Sequence, residues 1–174
     1  MVGAYSIKAT NALTGSGTKR VDLRYVLEQP LDVSNVQEVR FWLKVPTGTP
    51  EVMLYLNPET RFNSTKHLSY KIYATAQARQ NGWVELKIPI TAFKQKGTVG
   101  SIQSFLFRVS STVVEPFSIL VDGFHFLLEG GSAPSNAIVG LWHMDEASGT
   151  TVTDSGPFQI HGQVVGTSTI VPGM

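Results

Sequence analysis

The chain has no cysteine among its 174 residues, which excludes disulfide bridges and thiolate metal sites. Charged residues make up only 16 % of it, below the share of about a quarter that is usual for soluble domains. The net charge of +1 provides no strong field that would attract nucleic acid or an anionic membrane. No apolar run is long enough to span a bilayer. We therefore expect neither nucleic-acid binding nor membrane insertion.

Short runs in which apolar and polar residues alternate dominate the sequence, as in half-buried β-strands. In one of them, Phe41 and Leu43 alternate with Arg40, Trp42 and Lys44. Turn signals rich in proline, glycine and asparagine separate the runs, and no segment has a sustained helical period. The pattern predicts an all-β protein, an antiparallel β-sandwich. The other alternating runs are residues 52–57, 68–73, 84–88, 105–109 and 117–126.

The last of these runs contains Asp122-Gly123 in its interior. Glycine inside a strand commonly marks a β-bulge, where one extra residue lets the side chains change faces. We therefore predict a bulge at Gly123.

Residues 129–135, with the sequence EGGSAPS, have the composition of a linker. We place a domain boundary there, with a first module at residues 1–128, a linker at 129–137 and a second, partial domain at 138–174. The sequence leaves open whether residues 135–174 dock on the first module, donate a strand to a neighbour or hang loose.

Three stretches of the first module carry a shared pattern. They are GAYSIKAT at residues 3–10, LDVS followed by VRFWLK within residues 31–44, and the series Trp83 to Phe93, Ile102 to Phe107 and Ile119 to Phe126. Over residues 3–128 this order resembles galactose-binding-like jelly rolls, including bacterial carbohydrate-binding modules and phage adhesion domains. The resemblance implies a jelly-roll β-sandwich. Its motifs are mostly core pattern, so they specify the fold better than the ligand.

Residues 138–174, which we call the tail, have a different resemblance. Residues 140–162, GLWHMDEASGTTVTDSGPFQIHG, are similar to the start of a laminin-G-like (concanavalin A-like) lectin domain. This resemblance covers residues 138–174 and implies the opening strands of a second lectin-like sandwich, with Trp142 in its core.

Members of the jelly-roll family have a further strand before the Gly-x-Tyr-Ser strand, whereas only Met1 and Val2 precede it here. An unpaired edge strand is a template for another chain. Either the sequence is trimmed at this end, or a partner completes this edge, in a homo-oligomer or with other virion proteins; we expect the partner.

Aromatic residues at outward positions suggest a glycan site, because flat aromatic faces and planar hydrogen-bonding groups bind sugars. The alternation places Trp42 outward beside Arg40, Tyr55 and Tyr73 outward on two other strands, and Arg108 on another. If the three aromatic residues share a sheet, they form a platform with a charged rim. Alternatively, a loop, the tail or a neighbouring subunit covers these residues, or they are simply exposed.

The jelly-roll resemblance also implies a structural calcium ion near the first and last strands. Asp122 stands at the matching position, and Asp22 is a candidate second ligand. Calcium takes about six to eight oxygen ligands, so further groups would have to join them. The alternative is that Asp122 binds backbone amides beside the bulge.

Catalysis is not predicted. Asp145 and Glu146 are the only adjacent acidic pair, and neighbours on a strand point to opposite faces, so they cannot flank one glycosidic bond. The sequence has no nucleophile elbow, zinc-protease helix motif or phosphate loop.

These observations together predict a non-catalytic carbohydrate-binding or adhesion module at a virion surface or outside the cell. The resemblances favour a bacteriophage tail, baseplate or head-fibre component whose partner is a glycan or cell-surface polysaccharide. One alternative is a purely structural, oligomeric virion protein without glycan binding. The other is an accessory binding module of a secreted glycoside hydrolase or lyase.

Overall fold

Two antiparallel β-sheets of six strands each make up the computed structural model of the chain. It describes residues 5–11, 19–44, 52–56, 67–69, 82–94, 100–111, 117–128, 138–165 and 168–172. The strands there are β1 (Tyr5–Asn11), β2 (Lys19–Asp32), β3 (Val36–Lys44), β4 (Val52–Leu56), β5 (His67–Ser69), β6 (Trp83–Pro89), β7 (Ser101–Ser111), β8 (Phe117–Leu128), β9 (Ile138–Trp142), β10 (Thr151–Val152), β11 (Gly162–Val165) and β12 (Ser168–Pro172). A short helix, α1 (Ile90–Lys94), follows β6.

Sheet A has the strand order β12-β1-β8-β3-β6, and β9 also pairs with β8. Sheet B has the order β10-β11-β2-β7-β4-β5. On β8, residues 117–121 pair with β1 and residues 124–127 pair with β9. Every pairing between these strands is antiparallel, which confirms the predicted all-β sandwich.

The core lies between the two sheets and is rich in phenylalanine. Phe105 of sheet B stacks on Phe124 of sheet A, with ring centroids 4.2 Å apart. Phe41 of sheet A meets Phe107 of sheet B edge-on at 5.1 Å. These four side chains are at most 1 % exposed. They occupy the apolar positions of the alternating runs, because successive side chains of a strand point to opposite faces.

The strands β3, β4, β6, β7 and β8 coincide with alternating runs of the sequence. Our sequence interpretation missed β2, the longest strand, although Val21, Leu23, Tyr25 and Leu27 alternate there and are all buried. It also missed α1, whose five residues are too few to show a helical period. Within the described ranges, no helix is long and apolar enough to cross a membrane.

The strands of the tail extend the sheets formed by the strands before it. β9 pairs with β8, β11 with β2 and β12 with β1. Trp142 is fully buried, but in the core that the two sheets share and not in a separate lectin-like core as predicted. The Tyr25 hydroxyl donates a hydrogen bond to the Val152 carbonyl at 3.1 Å. Of the three possibilities left open by the sequence, the described tail residues thus take the first and dock on the first module. The predicted linker at residues 129–137 lies outside the described residues.

The edge that we expected a partner to complete is occupied by the chain itself. β12 pairs with β1 in register from Tyr5 opposite Pro172 to Ala9 opposite Ser168. The expectation of a partner at the β1 edge is therefore wrong. The strand beside β1 is thus β12, Ser168–Pro172.

Gly162 gives a test of the docked tail. It lies opposite Leu27, and a Cβ atom at this position would stand 2.3 Å from Cε1 of Tyr25. Because Tyr25 is packed in the core, we expect Gly162→Ala to lower the free energy of unfolding by about 1–3 kcal/mol through overpacking. Urea denaturation of the purified chain measures this.

Gly100→Ala is the matched control, because a Cβ atom at Gly100 would have no neighbour within 4 Å. Its effect should stay within about 0.5 kcal/mol. Equal stability of the two variants would show that β11 does not pack against Tyr25.

Candidate functional site

The outer face of sheet A places one tryptophan among ionisable side chains. Trp42 on β3 lies opposite Glu85 on β6 and opposite Asp122 on β8. Arg40, two residues earlier on β3, lies opposite Lys87 and His125 on the same two neighbours. We call this surface the Trp42 face; it consists of Arg40, Trp42, Glu85, Lys87, Asp122 and His125.

A bulge in β8 shapes the floor of this face. The register between β3 and β8 shifts between Arg40 and Trp42, and Gly123 has a φ of 55°, in the left-handed region that favours glycine. The bulge predicted at Gly123 is therefore confirmed. A Cβ atom at Gly123 would stand 3.4 Å from Cδ1 of Trp42, so the indole lies directly over the bulged backbone.

The charged groups of the Trp42 face are paired along their own strands. Arg40 Nε bonds to Glu38 Oε1, and Lys87 Nζ lies 3.5 Å from Glu85 Oε2. Each pair joins residues two apart, which share one face of a strand. Planar guanidinium and carboxylate groups therefore surround a partly buried indole, and such groups can bind sugar hydroxyls.

His125 adds a neutral ring to this face. Burial lowers its pKa, and the positive charge of Arg40 acts in the same direction. Its Nδ1 lies 2.8 Å from the carbonyl oxygen of Gly123. Because a carbonyl only accepts, Nδ1 carries the proton, and Nε2 of the neutral ring is then a hydrogen-bond acceptor.

The other predicted glycan residues are not brought to this face. Tyr55 on β4 and Arg108 on β7 belong to sheet B, and Tyr73 lies outside the described residues. The predicted single platform of Trp42 and Tyr55 is therefore not formed. Alternation shows which side chains point outward but not which sheet a strand joins.

Tyr55 and Arg108 are packed against each other on sheet B. The Arg108 guanidinium carbon lies 5.5 Å from the Tyr55 ring centroid, and the two residues are 9 % and 6 % exposed. Arg108 donates to both carboxylate oxygens of Asp22, at 2.8 and 2.7 Å. The hydrogen bond to Asp22 raises the pKa of Arg108. This arrangement is a partly buried ion pair beside an aromatic ring, and it leaves little surface for a ligand.

The calcium candidates are likewise separated. Asp22 is on β2 of sheet B, where it binds Arg108 and also lies 3.1 Å from Arg20. Asp122 is on β8 of sheet A and is fully buried. Within the part of the chain that the structure describes, no three histidine, aspartate or glutamate side chains cluster as a metal site. Asp22 and Asp122 therefore do not form the predicted calcium site.

The acidic residues of the tail hold its backbone. Asp154 is 2 % exposed and accepts three backbone N–H groups, from Leu141 at 2.8 Å, Gly156 at 2.7 Å and Ile160 at 2.9 Å. Glu146 Oε1 accepts the Thr153 N–H at 2.6 Å. Our sequence interpretation missed the role of Asp154, although Asp-Ser-Gly is typical of side chains that bond to nearby backbone.

No protein-family model matches the chain, and no curated protein sequence matches it. The jelly-roll and lectin-like resemblances therefore depend on the quoted motifs alone.

Asp154→Ala tests the role of the buried carboxylate. It removes the acceptor of three part-buried N–H groups, and each group left unsatisfied costs about 1–3 kcal/mol. We expect the free energy of unfolding to fall by at least about 3 kcal/mol, measured by urea denaturation. Ser155→Ala, at an exposed neighbour, should have an effect within about 0.5 kcal/mol. Comparable losses in both variants would contradict this role.

His125 predicts a dependence of stability on pH. Its pKa is lower in the folded chain than in the unfolded chain, so the unfolded state binds the proton more readily. Stability should therefore decrease as the pH falls below the unfolded pKa of about 6.5 and toward the folded pKa. His125→Gln should lose less stability than the wild type between about pH 7 and pH 5. Chemical denaturation at each pH measures the stability of both proteins. Equal losses of stability in the wild type and in His125→Gln would contradict the prediction.

Proposed function

We propose that the chain is a non-catalytic carbohydrate-binding or adhesion module of a larger surface assembly, and that a glycan binds on the Trp42 face. One observation supports this most directly: Trp42 is only partly buried on the outer face of a sheet, over a glycine bulge. A large aromatic side chain in that position is uncommon unless something covers it.

The chemistry of the Trp42 face suits a neutral sugar. The exposed part of the indole offers a flat apolar surface for the C–H groups of a pyranose ring. Arg40 and Lys87 are hydrogen-bond donors, Glu85 is an acceptor, and the neutral His125 ring adds another acceptor at Nε2. Acidic and basic groups alternate here, so the face has no strong charge preference. Binding at one such shallow site would be weak, and repetition in an assembly would strengthen it.

The proposal includes a family for each part of the chain. The motifs at residues 3–128 suggest a jelly-roll carbohydrate-binding module, and those at residues 138–174 suggest a laminin-G-like opening. Both kinds of domain suit a bacteriophage tail, baseplate or head fibre, exposed on the virion or outside the cell. An accessory module of a secreted hydrolase or lyase would use the same glycan contact and would differ in the rest of its polypeptide.

A structural role is the second candidate, favoured by the same partly buried tryptophan. In that case the Trp42 face packs against a second copy or another virion protein, and the ion pairs Glu38–Arg40 and Glu85–Lys87 surround the contact. An apolar centre with a polar rim is the usual anatomy of such interfaces.

Trp42→Ala separates the two candidates. Loss of the stacking surface should weaken glycan binding by about tenfold or more, measured on a glycan array and then by affinity electrophoresis on the polysaccharide that binds. Light scattering should show an unchanged mass. Val165→Ala, at a 47 % exposed residue of sheet B, is the control and should bind as the wild type does.

The opposite result would overturn the proposal. Trp42→Ala could lower the molecular mass of the assembly in solution and leave the amount of glycan bound per assembly unchanged. In that case the Trp42 face is a subunit interface. If the wild-type chain binds no glycan on the array, the carbohydrate-binding function is wrong.

A further inference from the structure

A second surface of the sandwich has the form of a small-molecule site. A pocket of about 350 Å³ opens between the turn that follows β2 and the tail segment around residue 158. This volume is at the small end of the range for ligand sites, which is about 300–1,000 Å³. The pocket is therefore large enough for one sugar-sized ring and too small for a protein element.

The floor of the pocket is apolar. Leu31 and Val139 line it and are 1 % and 5 % exposed, so they lie at its base. Ile160 also lines it and packs against the core. Among the described residues, none that lines this floor has a charged or amide side chain, so an apolar group suits it best.

The rim combines one aromatic ring with two polar side chains. Phe158 is 63 % exposed, the most exposed of the large hydrophobic side chains in the described residues. Asp32 and Asn35, both exposed, stand on the wall formed by the turn after β2. Oδ1 of Asp32 accepts hydrogen bonds from the Ser34 backbone N–H, at 2.8 Å, and from the Ser34 hydroxyl. These bonds fix the carboxylate in place.

We propose that this pocket binds the N-acetyl group of an N-acetylated hexosamine, with the sugar ring against Phe158. The acetyl methyl matches the apolar floor of Leu31, Val139 and Ile160. The acetamido N–H and carbonyl need one acceptor and one donor, and the Asn35 side chain supplies both kinds of group. The apolar face of the pyranose lies on the exposed phenyl ring.

Two other ligand classes fit less well. A hexose without the acetamido group, such as glucose, has no methyl for the floor, so the pocket would hold polar hydroxyls against apolar side chains. An acidic sugar would bring a carboxylate toward Asp32, whose pKa is lowered by its hydrogen bonds with Ser34 and which is therefore negatively charged near neutral pH. The combination of apolar floor, polar wall and negative charge selects a neutral acetamido sugar.

This site is distinct from the Trp42 face, and each can fail without the other. Trp42 is on β3 of sheet A, between β8 and the edge strand β6, whereas this pocket lies where the turn after β2 meets the tail. A chain that uses both would contact one polysaccharide at two places, and the second contact would be intramolecular.

Saturation-transfer difference NMR on the full chain tests the proposal, with N-acetyl-D-glucosamine, N-acetyl-D-galactosamine and D-glucose as probes. At least one acetamido sugar should give a strong signal from its acetyl methyl, and glucose should give little. Phe158→Ala should weaken binding of that sugar by roughly tenfold. Val165→Ala removes another exposed apolar side chain and should leave the signal unchanged. Trp42→Ala should leave it unchanged too, which separates this site from the proposed function.

Asn35→Ala is a second test that leaves the core untouched, because Asn35 is on an exposed turn. It should also reduce the acetyl-methyl signal. The proposal is overturned if neither acetamido sugar shows such a signal, if glucose is saturated as strongly, or if Phe158→Ala and Val165→Ala behave alike.

Discussion

The stacking of Phe105 on Phe124 at the centre of the sandwich is the contact on which the other elements depend. It joins the two sheets face to face. Tyr25 stacks on the other side of this contact, 4.7 Å from Phe105, and Trp142 lies 6.0 Å from Phe105 and 6.2 Å from Phe124. Each aromatic pair contributes about 0.5–1.5 kcal/mol beyond its buried area. The tail is thus held by the same rings that hold the sheets together.

Local pattern was enough to predict much of this fold. Alternation in the sequence gave most strands of sheets A and B and the residues of the core, and the position of Gly123 predicted the bulge beneath Trp42. Both features depend on only a few neighbouring residues, because the two-residue period of a strand is a local property.

The alternation of apolar and polar residues does not predict the order of the strands in a sheet. Whether Trp42 and Tyr55 share a sheet depends on which strands pair, and pairing partners are distant in the sequence. The same limit applies to Asp22 and Asp122, which the jelly-roll resemblance suggested as joint calcium ligands but which lie on different sheets. The docking of the tail was also open, since Trp142 would be buried in a lectin-like core or in this one. The direction of a side chain was therefore predictable from the sequence, whereas the other side chains that it contacts were not.

The outer faces of the two sheets both carry aromatic and charged side chains, but these side chains pack differently on each sheet. On sheet B, Tyr55, Arg108 and Asp22 pack into a nearly closed cluster whose ion pair is bidentate. On sheet A, Arg40 and Lys87 pair with neighbours on their own strands, and such partly exposed pairs contribute about 0–1 kcal/mol. A ligand could therefore rearrange the side chains of the Trp42 face at little cost, whereas sheet B would have to give up a bidentate pair whose arginine is buried.

The pairing of β1 with β12 has a kinetic consequence. Tyr5 and Pro172 are neighbours in sheet A but are almost the full described length of the chain apart. On the ribosome, β1 is synthesised early and its outer neighbour last, so sheet A stays open at this edge until translation of the described region is complete. Contacts of such long sequence separation slow folding. Throughout that interval the open edge can pair with β-strands of other nascent chains, so crowding on a polysome would favour misassembly at this position.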